Sequence, residues 1–286
     1  MAQELPQGFA HQPSLQSKTA ILIEALPYIQ KYKGKIVVIK CSGKVLEDES
    51  MKKSLVKDIS LLNHVGIKPV VVHGGGKMLD EAMEKKNIPI RKIGGLRVTD
   101  KQTISLVEKI FGEIARDLAA HLHKAGDKAA CVGNDVISVI QKDKKLGFVG
   151  EVKHIAGKKI ISLLSKGFIP VLSSIGVDAK GQSYNINADT AATAVAIALH
   201  AEKLTILTDV DGVFEQDTLL PTLSTAQVRK KITRGIISHG MIPKVEACVD
   251  AVKGNVHKAH LINGTVPHAL LLEIFTDTGI GTEIVP

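Results

Sequence analysis

The 286-residue chain has no tryptophan, and only three tyrosines and six phenylalanines supply its aromatic rings. Few rings are therefore available to stack on bases, and the 37 Lys and Arg residues behind the formal charge of +8 are scattered rather than clustered. Both features argue against a nucleic-acid-binding protein. A moderately basic surface, with positive charge gathered in a cleft for anionic substrates, accounts for the charge instead. The three cysteines, Cys41, Cys131 and Cys248, are an odd number with no C-x-x-C spacing. That excludes a disulfide framework and a thiolate zinc site and fits a reducing, cytoplasmic compartment. The first sixteen residues include Glu4 and lack an apolar core, so no export or transit signal is expected. Charges interrupt every hydrophobic stretch well short of the ~20 residues a spanning helix needs, so no membrane segment is expected either. Also missing are G-x-x-x-x-G-K-[ST], G-x-G-x-x-G and H-E-x-x-H, which leaves a Walker-type phosphate loop, a dinucleotide fold and a catalytic zinc unsupported.

What is present is an ordinary globular composition, 44% hydrophobic and 23% charged, in a strand-loop-helix grammar. Residues Ser17 to Tyr32 read as an amphipathic helix with Pro27 as a kink, followed by the strand Lys35 to Lys40 and the loop Cys41-Ser42-Gly43. Strands recur at Pro69 to His73, Phe168 to Ser173 and Leu204 to Thr208, and the strongest helical periodicity runs from Gln102 to His123. This alternation predicts an α/β fold with a mainly parallel sheet. Residues Lys142 to Val152 read as an antiparallel hairpin inserted at the edge of that sheet, and the polar turn Asp178 to Gly181 as a boundary between two lobes.

Several residues could carry chemistry. Gly74-Gly75-Gly76 follows a Val-rich strand and opens a helix, which suits either a phosphate cradle of backbone N–H groups or a turn that needs glycine. Lys40 ends an apolar strand where open α/β sheets bind ligands, and Lys244 opens a helix after a glycine turn, so the two could grip one phosphoryl group. Asp189 starts an Ala-rich helix and could hold both lysines in place; Asn185 and Asn187, just before it, could cap that helix or bind a ligand. Arg97 could grip a carboxylate in bidentate fashion or lie on the surface. Thr208-Asp209-Val210-Asp211-Gly212 suits nucleotide binding or simple chain reversal. His257 and His260 are expected on a surface helix, and no metal-ligating set is expected.

In order along the chain, VVHGGG (Val71 to Gly76), GGLRVTD (Gly94 to Asp100), YNINADTAA (Tyr184 to Ala192), LTDVDG (Leu207 to Gly212), GMIPKVEAC (Gly240 to Cys248) and VPHALLLEIFTDTGIGT (Val266 to Thr282) resemble the amino acid kinase family, and within it the members that act on N-acetylglutamate in arginine biosynthesis. The resemblance implies an αβα three-layer sandwich. Residues 1–33 would be an N-terminal helix extension, 34–180 a lobe for N-acetyl-L-glutamate and dimerisation, and 181–286 a lobe for ATP with Mg2+. It implies that Lys40 and Lys244 neutralise the transferring phosphoryl group, Asp189 orients both, and amides around Gly43, Gly75 and Gly76 meet its oxygens. Arg97 and Asn185 would hold the substrate's α-carboxylate, while Thr208, Asp209, Gly212 and Lys244 would face the nucleotide. The amino-terminal helix is similar to that of arginine-inhibited hexameric members, which implies a homo-oligomer, a hexamer rather than a dimer. It also implies an arginine effector near Glu273 and Gly281, and a PII-type protein is a further partner to consider. Three positions depart from the family's pattern: Ser42 and His239 stand where glycine is usual, and Lys77 where proline is common. The Ser42 Cβ is expected to restrict the loop and alter kinetics. Kinases that phosphorylate aspartate, glutamate or an aminoadipate derivative share the chemistry, and a non-catalytic metabolite-binding homologue is the alternative from another class.

Overall fold

The computed structural model of the chain describes residues 15–276 and 279–286, with side chains from Ala20 onward. Glu4 and the rest of the stretch read for an export signal lie outside the described residues, as do Asp277 and Thr278 of the last motif. From the amino end the order is α1 (Leu15–Tyr32), β1 (Ile36–Cys41), α2 (Gly43–Glu47), α3 (Glu49–His64), β2 (Lys68–His73), α4 (Gly76–Lys85), the hairpin β3 (Lys92–Ile93) and β4 (Leu96–Arg97), and α5 (Lys101–Lys124). Next come β5 (Lys128–Cys131), β6 (Ile137–Gln141), β7 (Gly150–Ile155), α6 (Gly157–Ser165), β8 (Phe168–Ser173), β9 (Ile175–Val177) and β10 (Ser183–Asn185). The rest is α7 (Ala188–Ala198), β11 (Lys203–Thr208), β12 (Phe214–Glu215), β13 (Thr218–Leu219), β14 (Thr222–Ser224), α8 (Thr225–Thr233), α9 (Ile242–Lys253), β15 (Lys258–Asn263), α10 (Ala269–Ile274) and β16 (Thr282–Val285).

Eight strands form one sheet in the order β14-β16-β15-β11-β1-β2-β8-β5. Six of them run parallel, and β16 turns antiparallel to β15 with β14 beside it, so only one end of the sheet departs from the expected direction. Both faces are covered, which is why the central strands read as near-continuous apolar runs rather than alternating ones. One face buries Val37, Ile39, Val71, Val171 and Leu207 under α3, α4, α5 and α10; the other buries Val38, Val72, Leu172, Leu204 and Ile206 under α6, α7 and α9. The result is the expected three-layer αβα sandwich.

Local signals explain the helix starts. The Asp100 side chain accepts from Thr103 N at 2.7 Å and opens α5, whose stripe Ile104, Val107, Phe111, Ile114, Leu118 and Leu122 is buried against the sheet. Asp48 caps α3 through Ser50 N and Met51 N, and Asn187 caps α7 through Asp189 N and Thr190 N. Helix α1 runs unbroken through Pro27.

Two expectations are corrected. The stretch Lys142 to Val152 is largely the connection between β6 and β7, which pair antiparallel but belong to a separate four-stranded sheet, β10-β9-β6-β7. The edge strands of the main sheet are β14 and β5. Bridges from Gly147 to Thr99 and from Val149 to Asn185 set this connection against the loop before α5 and the end of β10, and a Cβ on Gly147 would meet Thr99 O at 2.3 Å. His260 is not on a surface helix either: it lies in β15, 7% exposed, where alternate side chains of the strand meet a polar cluster described below.

Candidate active site

The parallel strands deliver their carboxyl ends to one edge, where β1 ends near Lys40, β2 near His73, β11 at Thr208 and β15 at Asn263. Asp189, in the first turn of α7, sits between two cations there. Lys40 Nζ lies 2.8 Å from Asp189 Oδ1 and Lys244 Nζ lies 3.4 Å from Oδ2. Oδ1 lacks a well-aligned donor, so the Lys40 contact is an ion pair rather than a directed hydrogen bond. The side chains of Lys40 and Asp189 are 9% and 8% exposed, whereas that of Lys244 is 24% exposed. Burial opposes ionisation of Asp189, but the charges of Lys40 and Lys244 outweigh it and hold the carboxyl below its ordinary range. Two cations on one anion leave a net positive centre suited to a phosphoryl group.

The nearby thiols are not nucleophiles. Burial pushes the Cys41 thiol up to about 12 despite the adjacent Lys40 charge, and it also raises that of Cys248, with Asp189 adding to the effect.

Facing this centre is the glycine run. The N–H groups of Gly75 and Gly76 meet no protein acceptor among the described residues and lead into α4, which makes the cradle chemically available. The glycines differ in what they require. A Cβ on Gly75 would come within 2.6 Å of Ile114 Cδ1 and 2.8 Å of Phe111 Cε1, so packing of α5 demands glycine there. Gly76 has open space, and Gly43 would meet only Glu47 Oε1 at 3.7 Å. Ser42 has φ −81° and ψ 151°, a conformation any residue adopts, and its side chain accepts from Val45 N at 3.3 Å. It caps α2, so the restriction expected of its Cβ has no backbone basis.

A cavity of about 180 Å³ beside the glycines is lined by Gly74 to Gly76, Arg97, Phe111 and Asn185, among others. Arg97 is no surface arginine: its side chain is 8% exposed, paired with Asp80, and Nη2 donates to Gly76 O at 3.3 Å. Asn185 Nδ2 donates to Thr99 Oγ1 at 3.3 Å. A larger cavity of about 490 Å³ is lined by Asp209, Asp211, Gly212, Phe214, Ile236, Ser238, Met241 and Asn263, with others. Thr208 is buried at the strand end, with Oγ1 3.3 Å from Asp209 Oδ1, and neither it nor Lys244 lines that cavity.

Sequence reasoning missed Asp80, Ser42 as a cap, and Asn263, whose Nδ2 donates to Asp211 Oδ1 at 2.7 Å. Asn263 was findable: it ends the run KAHLIN, a short strand whose carboxyl end obeys the same rule as Lys40. Lys77, like Asp80 on α4, pairs with Glu47 at 2.7 Å and stays 66% exposed.

Far from this edge, Glu273 and Gly281 share a third cavity, about 220 Å³, with Tyr28, Lys203, Lys258, His260 and Glu283 among its lining. Lys203 Nζ lies 2.8 Å from Glu273 Oε1, His260 Nδ1 also pairs with Glu273, and His260 Nε2 lies 3.2 Å from Glu283 Oε1. A Cβ on Gly281 would meet Leu261 O at 2.0 Å. Among the described residues no cluster of three His, Cys, Asp or Glu could hold a metal ion, and no helix is long and apolar enough to cross a membrane.

The amino acid kinase family profile matches residues 35–263. Acetylglutamate kinase of Halothermothrix orenii is 44% identical over 283 residues, 94% of this chain and 98% of that one. Acetylglutamate kinase of Gloeobacter violaceus is 43% identical, covering 100% of this chain and 98% of its own. Among solved structures, N-acetylglutamate synthase of Neisseria gonorrhoeae with coenzyme A and N-acetyl-glutamate gives a TM-score of 0.86 at 28% identity, over 94% of this chain and 63% of the synthase. The same synthase with coenzyme A and L-arginine gives 0.82 at 26% identity, over 93% of this chain and 65% of the synthase. This chain thus spans under two thirds of that synthase but nearly the full length of the kinases.

Proposed function

The chain belongs to the amino acid kinase family, and we propose that it transfers the γ-phosphoryl group of ATP to the side-chain carboxylate of N-acetyl-L-glutamate, giving N-acetylglutamyl 5-phosphate in arginine biosynthesis. The observation that carries this reading is the buried Lys40–Asp189–Lys244 centre beside unpartnered glycine N–H groups. The substrate carboxylate, ionised at neutral pH, needs no general base. One of its oxygens attacks the γ-phosphorus in line, a new P–O bond forms as the bond to the β-bridging oxygen breaks, and ADP leaves with that electron pair. Lys40 and Lys244 offset charge on the moving phosphoryl group, Asp189 fixes their spacing, and amides around Gly43, Gly75 and Gly76 donate to its equatorial oxygens. Arg97, held by Asp80, and Asn185 take the substrate's α-carboxylate. Asp209 and Gly212 line the cavity assigned to the nucleotide, with Thr208 supporting that loop. Asp189 is committed to two lysines, so Mg2+ would ride on the nucleotide's own phosphates, which it would screen.

On this reading residues 34–180 carry the acceptor and residues 181–286 the nucleotide, meeting at the Asp178 to Gly181 turn. Arginine is the proposed feedback inhibitor, in the cavity of Glu273 and Gly281, where carboxylates could meet its guanidinium and Lys203 or Lys258 its carboxylate. The exposed apolar residues Ile21, Leu22, Ile23 and Leu26 on α1 are the proposed contact between copies of the chain in a hexamer. A cytoplasmic location fits three free cysteines, of which only Cys131 is exposed.

The deciding experiment is magnesium-ATP turnover with hydroxylamine trapping of acyl phosphate, comparing N-acetylglutamate with glutamate, aspartate and N-acetylaminoadipate. Selective hydroxamate from N-acetylglutamate is expected. Selective product from another acceptor overturns the substrate, and no product from any acceptor overturns the kinase. Arginine added to the same assay should inhibit, and an unchanged rate at millimolar arginine would remove the effector.

A further inference from the structure

The reaction proposed above uses the backbone of Gly75 and Gly76 but gives no task to His73, which precedes the glycine run. His73 ends β2 with no exposed surface, and its ring meets Phe111 of α5 edge-on, centroids 6.3 Å apart. Nδ1 lies 3.1 Å from the Gly74 carbonyl oxygen. A carbonyl only accepts, so Nδ1 is the protonated nitrogen in this contact. Nε2 is buried with no partner among the described residues. It is the lone-pair nitrogen of a neutral ring, a state that burial favours by pushing the imidazole down to about 4.

The Gly74 carbonyl and the Gly75 N–H belong to one planar peptide unit, and no peptide bond in the described chain is cis. In a trans unit the two groups point in opposite directions. Whatever grips the carbonyl of Gly74 therefore also aims the N–H of Gly75, which meets no protein acceptor in a loop that lines the acceptor cavity. Phe111 acts on both ends of this arrangement: its edge holds the His73 ring, and its contact with Gly75 excludes a side chain there.

We propose that His73 is a positioning residue: by donating from Nδ1 to the Gly74 carbonyl it locks the Gly74–Gly75 peptide plane, so that the Gly75 N–H is aimed at the transferring phosphoryl group before substrates arrive. The inference rests on the kinase reading for its phosphoryl group, but its geometry does not. A donor aimed at charge that builds up in the transition state acts on kcat more than on KM.

Two variants and one spectrum test it. His73→Asn places an amide donor near the position of Nδ1 and should retain kcat within about threefold. His73→Leu fills the space without a donor and should lose roughly 10- to 100-fold in kcat, the scale of a misplaced group, with both KM values within about threefold. Wild-type turnover in His73→Leu, or equal loss in both variants, would overturn the proposal. Should the variants fail to fold, long-range 15N–1H correlation on the wild-type protein still decides. A neutral Nδ1–H tautomer supports the lock, and an Nε2–H tautomer or a ring protonated at neutral pH defeats it. That spectrum needs no substrate, so a failed acceptor assay on wild-type protein would sink the reaction without touching the tautomer result.

Discussion

Lys203 and Glu273 form an ion pair of 2.8 Å with side chains only 3% and 2% exposed, 70 residues apart in the chain. The pair ties β11 to α10, and His260 packs on the same carboxylate. Removing one partner strands a buried charge, so Glu273→Ala should destabilise by about 3–5 kcal/mol. Chemical denaturation should show the loss, whereas Glu283→Ala at the half-buried rim of the cluster should cost clearly less.

The same cluster sets an acid limit. Burial opposes ionisation of Glu273, but His260 and Lys203 outweigh it and lower its pKa from 4.5. Hydrogen bonding to His260 foremost, with Lys258, brings Glu283 from 4.5 down to about 2. Both carboxyls are depressed in the folded state, so their stabilisation is complete above the unfolded value and is lost as pH falls through the folded one. Stability should therefore decline between pH 4.5 and about 2, and Glu283→Gln should flatten that slope in acid titrations followed by circular dichroism.

Lys40 and Lys244 are both assigned to the phosphoryl group, but only Lys40 is as buried as Asp189. Lys40→Ala should lower kcat by about 10²-fold or more and also destabilise, because Asp189 loses its nearer counter-ion. Lys244→Ala should show a comparable kinetic loss with a denaturation midpoint near wild type. Equal stability of the two variants would contradict the burial difference.

Gly75 and Gly76 separate packing from ligand approach. Gly75→Ala should be destabilised by about 1–3 kcal/mol, because Phe111 and Ile114 must move. Gly76→Ala meets nothing within 4 Å and should fold normally, so any kinetic defect there reports crowding of the bound ligand.

Of the departures from the family's pattern, His239 rather than Ser42 carries backbone strain. His239 has φ 46°, in the left-handed region. His239→Gly should stabilise the protein by about 1 kcal/mol, read as a raised denaturation midpoint. Ser42→Gly should leave kcat within about twofold, while Ser42→Ala should cost about 1 kcal/mol through loss of the α2 cap.

The layers and most of the candidate site's framework were legible because they are local. Strands covered on both faces show as Val and Ile runs, α5 shows as a repeating stripe, and Lys40 is conspicuous as a charge ending an apolar strand. Lys244 and Asp189 were readable as helix-start residues of suitable chemistry. What escaped was set by contacts far apart in sequence. Asp80 pins Arg97 from another element, and β6 and β7 pair with β9 and β10 in a separate sheet. Strand β15 was readable as a short run, but only the fold reveals that its Lys258 and His260 both point at Glu283.

The main sheet passes without a break from one half of the chain to the other. Strands β1 and β11 pair at its middle from Val37 with Lys203 to Lys40 with Ile206. The two halves are joined through this backbone ladder, which is buried under helices on both sides, so relative motion between them loads paired strands. A torsion of the sheet about its midline would keep that ladder paired. Lys40 lies on the very strand that such a twist turns, so the seam that carries the mechanical load also carries the charge at the reacting centre.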